Sequence, residues 1–167
     1  MSGRVLVVMG SDNDWKVMSS AVETLKEYGV DTDVHVASAH RVPDKVQELS
    51  ANARANGFSV IIAGAGAAAH LAGVFASKTT LPVIGVPLSG TALQGVDALY
   101  AVVQMPSGVP VATVAIDGAR NAALLAIQIL ATSDERLAAR LSEDKQAMYG
   151  QIAERSKKVR QAAGLED

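Results

Sequence analysis

Short apolar runs recur along the chain, each followed by Gly or small polar residues and then by a stretch with helical spacing. They are Arg4–Met9, Thr32–Ala37, Ser59–Ala63, Pro82–Val86 and Val109–Ala115. Runs this short, rich in Val and Ile and apolar on both sides, suit strands buried on both faces. Such strands need helices above and below them, and the intervening segments supply these. Trp15–Tyr28 carries Val17, Ala21, Leu25 and Tyr28 on one stripe and meets Gly29, a natural left-handed stop. Pro43 suits a first helical turn, where its missing N–H does no harm, and this helix continues through Val46, Leu49 and Ala53 to Gly57. A third helix is predicted from His70 to about Ser77, helical turns over Leu93–Val103, and an Ala/Leu-rich helix over Ala119–Ala131.

Regular alternation with short connections predicts an α/β fold: three αβα layers around a five-stranded parallel sheet, with right-handed crossovers and a flavodoxin-like strand order. Ligands then sit beyond the carboxyl ends of the strands. The loops after the first three strands share that edge, which brings Ser11, Asp14, His40, Arg41 and His70 into one neighbourhood.

The 167 residues suffice for one domain with a real core. Residues 1–132 read as the catalytic domain and 133–167 as a C-terminal helical extension of it. Hydrophobic residues make up 49% of the chain and aromatic ones only 4%, so the core must be tightly packed aliphatic side chains. A formal charge of −2 exerts no broad pull on nucleic acid or anionic membrane, so any anion is recognised locally. With no cysteine, a disulfide framework, thiolate catalysis and thiolate metal sites are excluded. The N-terminal residues do not read as a secretory signal, and the apolar runs are too short to span a bilayer. The expectation is a cytoplasmic protein with no membrane or nucleic-acid partner.

From Ser133 to Ala163 the chain turns charged and helical. Leu137, Leu141, Met148, Ile152 and Val159 are spaced four, seven, four and seven apart, one narrow stripe on a long helix. Such a helix either folds back on its own domain or packs on a neighbouring subunit.

Three stretches carry chemistry. In Gly10-Ser11-Asp12-Asn13-Asp14, backbone N–H groups at a helix start favour a phosphate. Ser11 adds a hydroxyl, and Asp14 can accept from sugar hydroxyls; plain helix capping explains the same residues. The Gly-x4-Gly-Lys-Ser/Thr pattern of a P-loop is missing. Ser38-Ala39-His40-Arg41 sets a proton shuttle that titrates near neutrality beside planar bidentate donors for phosphate or carboxylate. Gly64-Ala65-Gly66-Ala67-Ala68-Ala69 matches Gly-x-Gly-x-x-Gly/Ala, but it follows the third strand and no acidic residue lies about twenty positions on. It reads better as a small, dry, apolar pocket lined by amides. His70 is either an orienting residue or a helix start, and His35 is structural. Three scattered His without a Glu-x-x-His pairing make a poor metal site.

Val8-Met9-Gly10-Ser11-Asp12-Asn13-Asp14-Trp15, Ser38-Ala39-His40-Arg41-Val42-Pro43, Ala63 through Gly73, Leu81 through Pro87 and Val103 through Pro110 occur in order. Together they closely resemble the class I PurE family, the N5-carboxyaminoimidazole ribonucleotide mutases of purine biosynthesis, from about Val5 to Leu130. The resemblance implies a homo-octamer that isomerises its ribonucleotide without ATP, metal or organic cofactor. It implies that His40 is the general acid/base and that Ser11, Asp14 and Arg41 bind the ribonucleotide. Gly10, Asp12, Ser38 and the loop of Gly64, Ala65, Gly66, Ala67, His70 and Leu71 would help to form the site. Ala68 and Ala72 depart from the family pattern, where Gly and Pro are usual, which puts the width and rigidity of a CO2 pocket in question. The segment around Asp117-Gly118-Ala119-Arg120 is assigned no role. One alternative is the related class that carboxylates aminoimidazole ribonucleotide directly; Arg41 and the Ala/Gly loop favour the mutase over the Lys-containing pattern of that class. Another is a non-catalytic nucleotide- or flavin-binding module.

Overall fold

The computed structural model describes residues 3–165; residues 1–2 and 166–167, at the ends of the two segments expected above, lie outside the described residues. β1 (Arg4–Met9) pairs in parallel with β2 (Thr32–Val36) on one side and β3 (Phe58–Gly66) on the other. β4 (Val83–Leu88) and β5 (Ala112–Thr113) continue beyond β3, giving the all-parallel order β2-β1-β3-β4-β5. This is the flavodoxin-like order expected from the alternation of elements. The helices are α1 (Trp15–Glu27), α2 (Pro43–Asn52), α3 (Leu71–Ala76), α4 (Val96–Val103), α5 (Ala119–Ala131) and α6 (Glu135–Ala162).

Strand side chains alternate between two cores. Val5, Val7, Met9, Val60, Ile62, Ile84 and Val86 join Met18 and Leu25 of α1 and Ala122, Ala126 and Ile127 of α5. Leu6, Val8, Ile61, Ala63 and Val83 join Val46 of α2, Phe75 of α3 and Val102 of α4. Each fully buried aliphatic side chain contributes about 1.5–3 kcal/mol, so the two sets stabilise the sheet from both faces.

Three strands differ from expectation by more than one residue, and β4 ends at Leu88 rather than Val86. β3 runs to Gly66 rather than ending at Ala63, because its small residues continue the ladder with Val86, Pro87 and Leu88 of β4. β5 shrinks from Val109–Ala115 to Ala112–Thr113, paired only with Ile84 and Gly85. Pro110, ahead of β5, and Pro87 in β4 have no N–H to donate, which curtails the ladder at this edge.

α6 docks by its first turns only. Leu137 is fully buried and Leu141 packs against the same core, whereas Met148, Ile152 and Val159 are 52%, 60% and 69% exposed. Arg136 donates to the Tyr28 carbonyl at 3.2 Å, and the Tyr28 hydroxyl donates to Asp144. Burial, reinforced by the Asp144 carboxylate, pushes the Tyr28 phenol up to about 12, so this link keeps its proton at any physiological pH. Among the described residues no helix is long and apolar enough to cross a membrane.

Gly85 shows how tightly the second core is filled. A Cβ there would stand 2.3 Å from Val102 Cγ1 and 2.9 Å from Val111 Cγ1. Valine has little rotamer freedom to yield, so Gly85→Ala should lower stability by about 1–3 kcal/mol. A urea titration checks this, and an unchanged midpoint would show that the two valines move aside.

Candidate active site

The loops after β1, β2, β3 and β4 converge at the carboxyl edge of the sheet around a cavity of about 540 Å³. The first contributes Gly10, Ser11, Asn13 and Asp14, and the second Ser38, Ala39, His40 and Arg41. The third contributes residues 65–71, and the fourth Leu88, Gly90 and Thr91. Of the residues expected from the sequence, Gly10, Ser11, Asp14, Ser38, His40, Arg41, Ala65, Gly66, Ala67, His70 and Leu71 are brought together here. Asp12 and Gly64 are not on the cavity wall. Asp12 accepts a hydrogen bond from the Ser11 hydroxyl at 3.0 Å. Gly64 lies within β3, where a Cβ would stand 2.4 Å from Met18 Sδ, so its small size serves packing of α1 on the sheet. The fourth loop is the part that sequence reasoning missed. Its position after a parallel strand was the available signal, but no His, Arg or Asp lies at its mouth.

The turn after β1 satisfies its own backbone. Ser11 N–H donates to Asp14 Oδ2 at 2.8 Å, and Asn13 N–H donates to Ser11 Oγ at 3.3 Å, a reciprocal capping box. Helix capping and a place on the cavity wall are therefore held by the same two residues. Burial raises the Asp14 carboxyl from its ordinary value, and the Asp12 charge adds to the rise; the Ser11 and Gly10 amides and the Arg41 charge oppose it. Arg41 bridges the first two loops, its Nη2–H donating to the Gly10 carbonyl at 3.3 Å. Among the described residues no carboxylate lies within ion-pair distance of it, so the guanidinium stands at the cavity wall ready for an anion.

His40 Nε2 and His70 Nδ1 are 2.8 Å apart, with the rings at 81° and centroids separated by 4.9 Å. One of the two facing nitrogens carries the proton and the other accepts it. The pair therefore couples a loop imidazole to one anchored at the start of α3, where His70 is the N-cap residue. His70 thus starts the helix and also contacts the His40 ring. His35, by contrast, lies in edge strand β2, 3.4 Å from Asp33.

The opposite wall is nearly free of side-chain bulk. Ala67 and Ala69 have φ of +53° and +46°, and Ala69 N–H closes the turn onto the Gly66 carbonyl at 3.0 Å. Left-handed alanines cost about 1–3 kcal/mol each, so surrounding contacts must over-determine this turn. Ala68 is not among the left-handed residues and takes its methyl without backbone strain. Ala72 is buried in α3 beside Gly85, outside the cavity lining. Neither departure from the family pattern obstructs the cavity. Among the described residues no group of three or more His, Cys, Asp or Glu is placed to hold a metal ion.

A site with two imidazoles in hydrogen-bond contact, a guanidinium and a smooth small-residue wall can bind an anionic molecule and handle a small apolar fragment beside it. Comparison with known proteins gives a consistent result. The family described as AIR carboxylase matches residues 4–151. The N5-carboxyaminoimidazole ribonucleotide mutase of Thermotoga maritima is 49% identical over 158 residues, 95% of this chain and 92% of its own. The Escherichia coli protein of the same name is 52% identical over 153 residues, 90% of each chain. A crystal structure of Treponema denticola PurE superposes with a TM-score of 0.84 at 26% identity, covering 92% of this chain and 96% of that one.

The raised Asp14 carboxyl has a consequence for stability. The folded chain holds this proton to a higher pH than the unfolded chain does. Between the ordinary carboxyl value and the raised one, the native state binds more protons, so the Asp14 contribution falls as pH rises. Asp14→Asn keeps an acceptor for Ser11 N–H and removes the charge. Its Tm at pH 7 should exceed that of the parent, with the gap closing as pH falls below that window. A lower Tm at pH 7 would show that the amide donors outweigh burial.

Proposed function

The chain belongs to the AIR carboxylase family, and we propose that it is an N5-carboxyaminoimidazole ribonucleotide mutase, an isomerase of purine (IMP) biosynthesis. Its product is 4-carboxy-5-aminoimidazole ribonucleotide. The observation that carries this reading is the placement of His40 and Arg41 in one cavity with the small-residue turn Gly66–Ala69. Arg41 holds the phosphate beside the Ser11 hydroxyl, Asp14 accepts from the ribose hydroxyls, and Ser38 supports the Arg41 loop by accepting from the Arg41 N–H at 3.4 Å. Protonation at the carboxylated nitrogen releases aminoimidazole ribonucleotide and CO2. The small-residue turn retains CO2, so recombination remains effectively intramolecular. C4 of the imidazole attacks CO2, and His40 then takes the C4 proton, with His70 steadying the ring that receives it. Each step moves a proton or a carboxyl group, so the scheme calls on no ATP, metal or organic cofactor.

Purified protein should convert the N5-carboxy substrate with bicarbonate absent. Dependence on added CO2 would mean direct carboxylation instead. His40→Asn should lower kcat by about 10²–10⁴-fold while nucleotide affinity stays within about threefold. Retained turnover in that variant would remove His40 from the proton path.

The assembly is read as a homo-octamer, cytoplasmic and without nucleic-acid or membrane partners. Met148, Ile152 and Val159 on α6, and Val96, Tyr100 and Val103 on α4, are apolar side chains exposed on a single chain, which supports packing against further copies. Ile152 is 60% exposed, so Ile152→Glu leaves the domain core untouched. The variant should form a smaller particle in light scattering, and an unchanged mass would take α6 out of the interface.

A further inference from the structure

The turn at Asp117, between β5 and α5, lies outside the cavity lining, and nothing in the sequence gives it a role. Its geometry does. Asp117 holds φ of +57°, a left-handed conformation rare for a residue with a Cβ. Its N–H donates to the Pro87 carbonyl at 2.9 Å, anchoring the turn to the end of β4. Its carboxylate then takes two hydrogen bonds from one residue 28 positions away. Ser89 N–H donates to Oδ1 at 2.9 Å and the Ser89 hydroxyl donates to Oδ2 at 2.5 Å.

Ser89 sits between Leu88 and Gly90, both on the cavity wall. Its carbonyl accepts from Thr91 N–H at 2.7 Å, and Thr91 Oγ1 donates onward to Asp97 at 3.2 Å. The far end of the loop returns to the same point. A Cβ on Gly95 would stand 2.7 Å from Ile116 Cγ2 and 3.1 Å from Ser89 Cα. The loop also abuts the opposite wall, since a Cβ on Gly66 would stand 3.3 Å from the Leu88 carbonyl oxygen and 3.8 Å from Thr91 Cγ2. The loop therefore closes on Ser89, and Ser89 is fixed from outside by one carboxylate.

We infer that Asp117 is a positioning residue: by clamping Ser89 it holds the Gly90–Thr91 wall against Gly66 and keeps the cavity shut on the side that retains CO2. The last clause rests on the mutase reading; the clamp itself does not. A loose wall would let CO2 leave before it recombines. Product formation would then fall and free aminoimidazole ribonucleotide would accumulate, with little change in how the ribonucleotide binds.

Three proteins separate the clamp from the turn. Asp117→Gly accepts the left-handed backbone freely and keeps the N–H to Pro87, but loses both bonds to Ser89. Asp117→Asn keeps both, because its carbonyl accepts from Ser89 N–H and its amide donates to the Ser89 hydroxyl. Amide hydrogen exchange over residues 88–95 is the first readout. Exchange at Ser89 should rise at least about tenfold in Asp117→Gly and stay within about threefold of the parent in Asp117→Asn. With the N5-carboxy substrate, Asp117→Gly should show kcat lower by about tenfold, KM within about threefold, and a larger share of turnovers ending as free aminoimidazole ribonucleotide and CO2. Asp117→Asn should restore both values. Parent-like exchange and partition in Asp117→Gly would overturn the inference, as would an Asn variant as impaired as the Gly variant. If the parent protein does not turn the substrate over, the mutase reading fails, while the exchange data still decide the clamp.

Discussion

The register of β3 between its two neighbours is the constraint on which the rest depends. Met9 pairs with Gly64 on one side, and Gly66 pairs with Leu88 on the other. Those two pairings place the ends of β1, β3 and β4 side by side, and the Met9–Val36 pairing adds the end of β2. A one-residue slip of β3 would send its side chains to the wrong core and carry the Gly66–Ala69 turn away from His40. The same strand must be narrow at its end, since Met18 leaves no space for a Cβ at Gly64. The composition that lets α1 pack closely is continuous with the composition that makes the cavity wall smooth.

Polar order at this edge is arranged so that few groups serve one purpose only. Ser11 and Asp14 cap a short helical turn and line the cavity. Arg41 ties two loops together through a carbonyl contact and makes no direct ion pair with a carboxylate among the described residues. His40 meets His70, whose position is set by the start of α3. Strain sits in the same place: three of the left-handed non-glycine residues, Ala67, Ala69 and Asp117, lie in the turns that form or brace the cavity. Sites built on rigid strand ends can hold such conformations because the sheet behind them does not yield.

Beyond the sheet, α6 is docked on the domain at one end and exposed along the rest. Leu137 and Leu141 occupy the domain core, and the Tyr28–Asp144 and Arg136–Tyr28 links set the direction in which the helix departs. Past that point its apolar residues face outward. The fold-back reading of the stripe described from the sequence therefore applies to the first turns of the helix. A periodic stripe reports that a face is apolar, but not how far the home domain covers it.

By itself the sequence determined the layered α/β architecture, the strand order and the three chemistry-bearing loops. Apolar period and Gly/Pro punctuation are local properties, and parallel strands with short crossovers admit few topologies. It also placed His40, Arg41, Ser11 and Asp14 at one edge, because all strands point the same way. Only the tertiary structure decided which residues at that edge reach the cavity. Asp12 and Gly64 share motifs with residues that do, yet one turns to a neighbouring hydroxyl and the other into the core. Leu88, Gly90 and Thr91 reach it without any chemical signature in their sequence. The pairing of His40 with His70, 30 positions apart, and of Ser89 with Asp117, 28 apart, likewise depends on distances set by the sheet. Local pattern fixes the direction of a strand; the angle at which a loop leaves it, and the partner it meets, come from packing against elements distant in sequence.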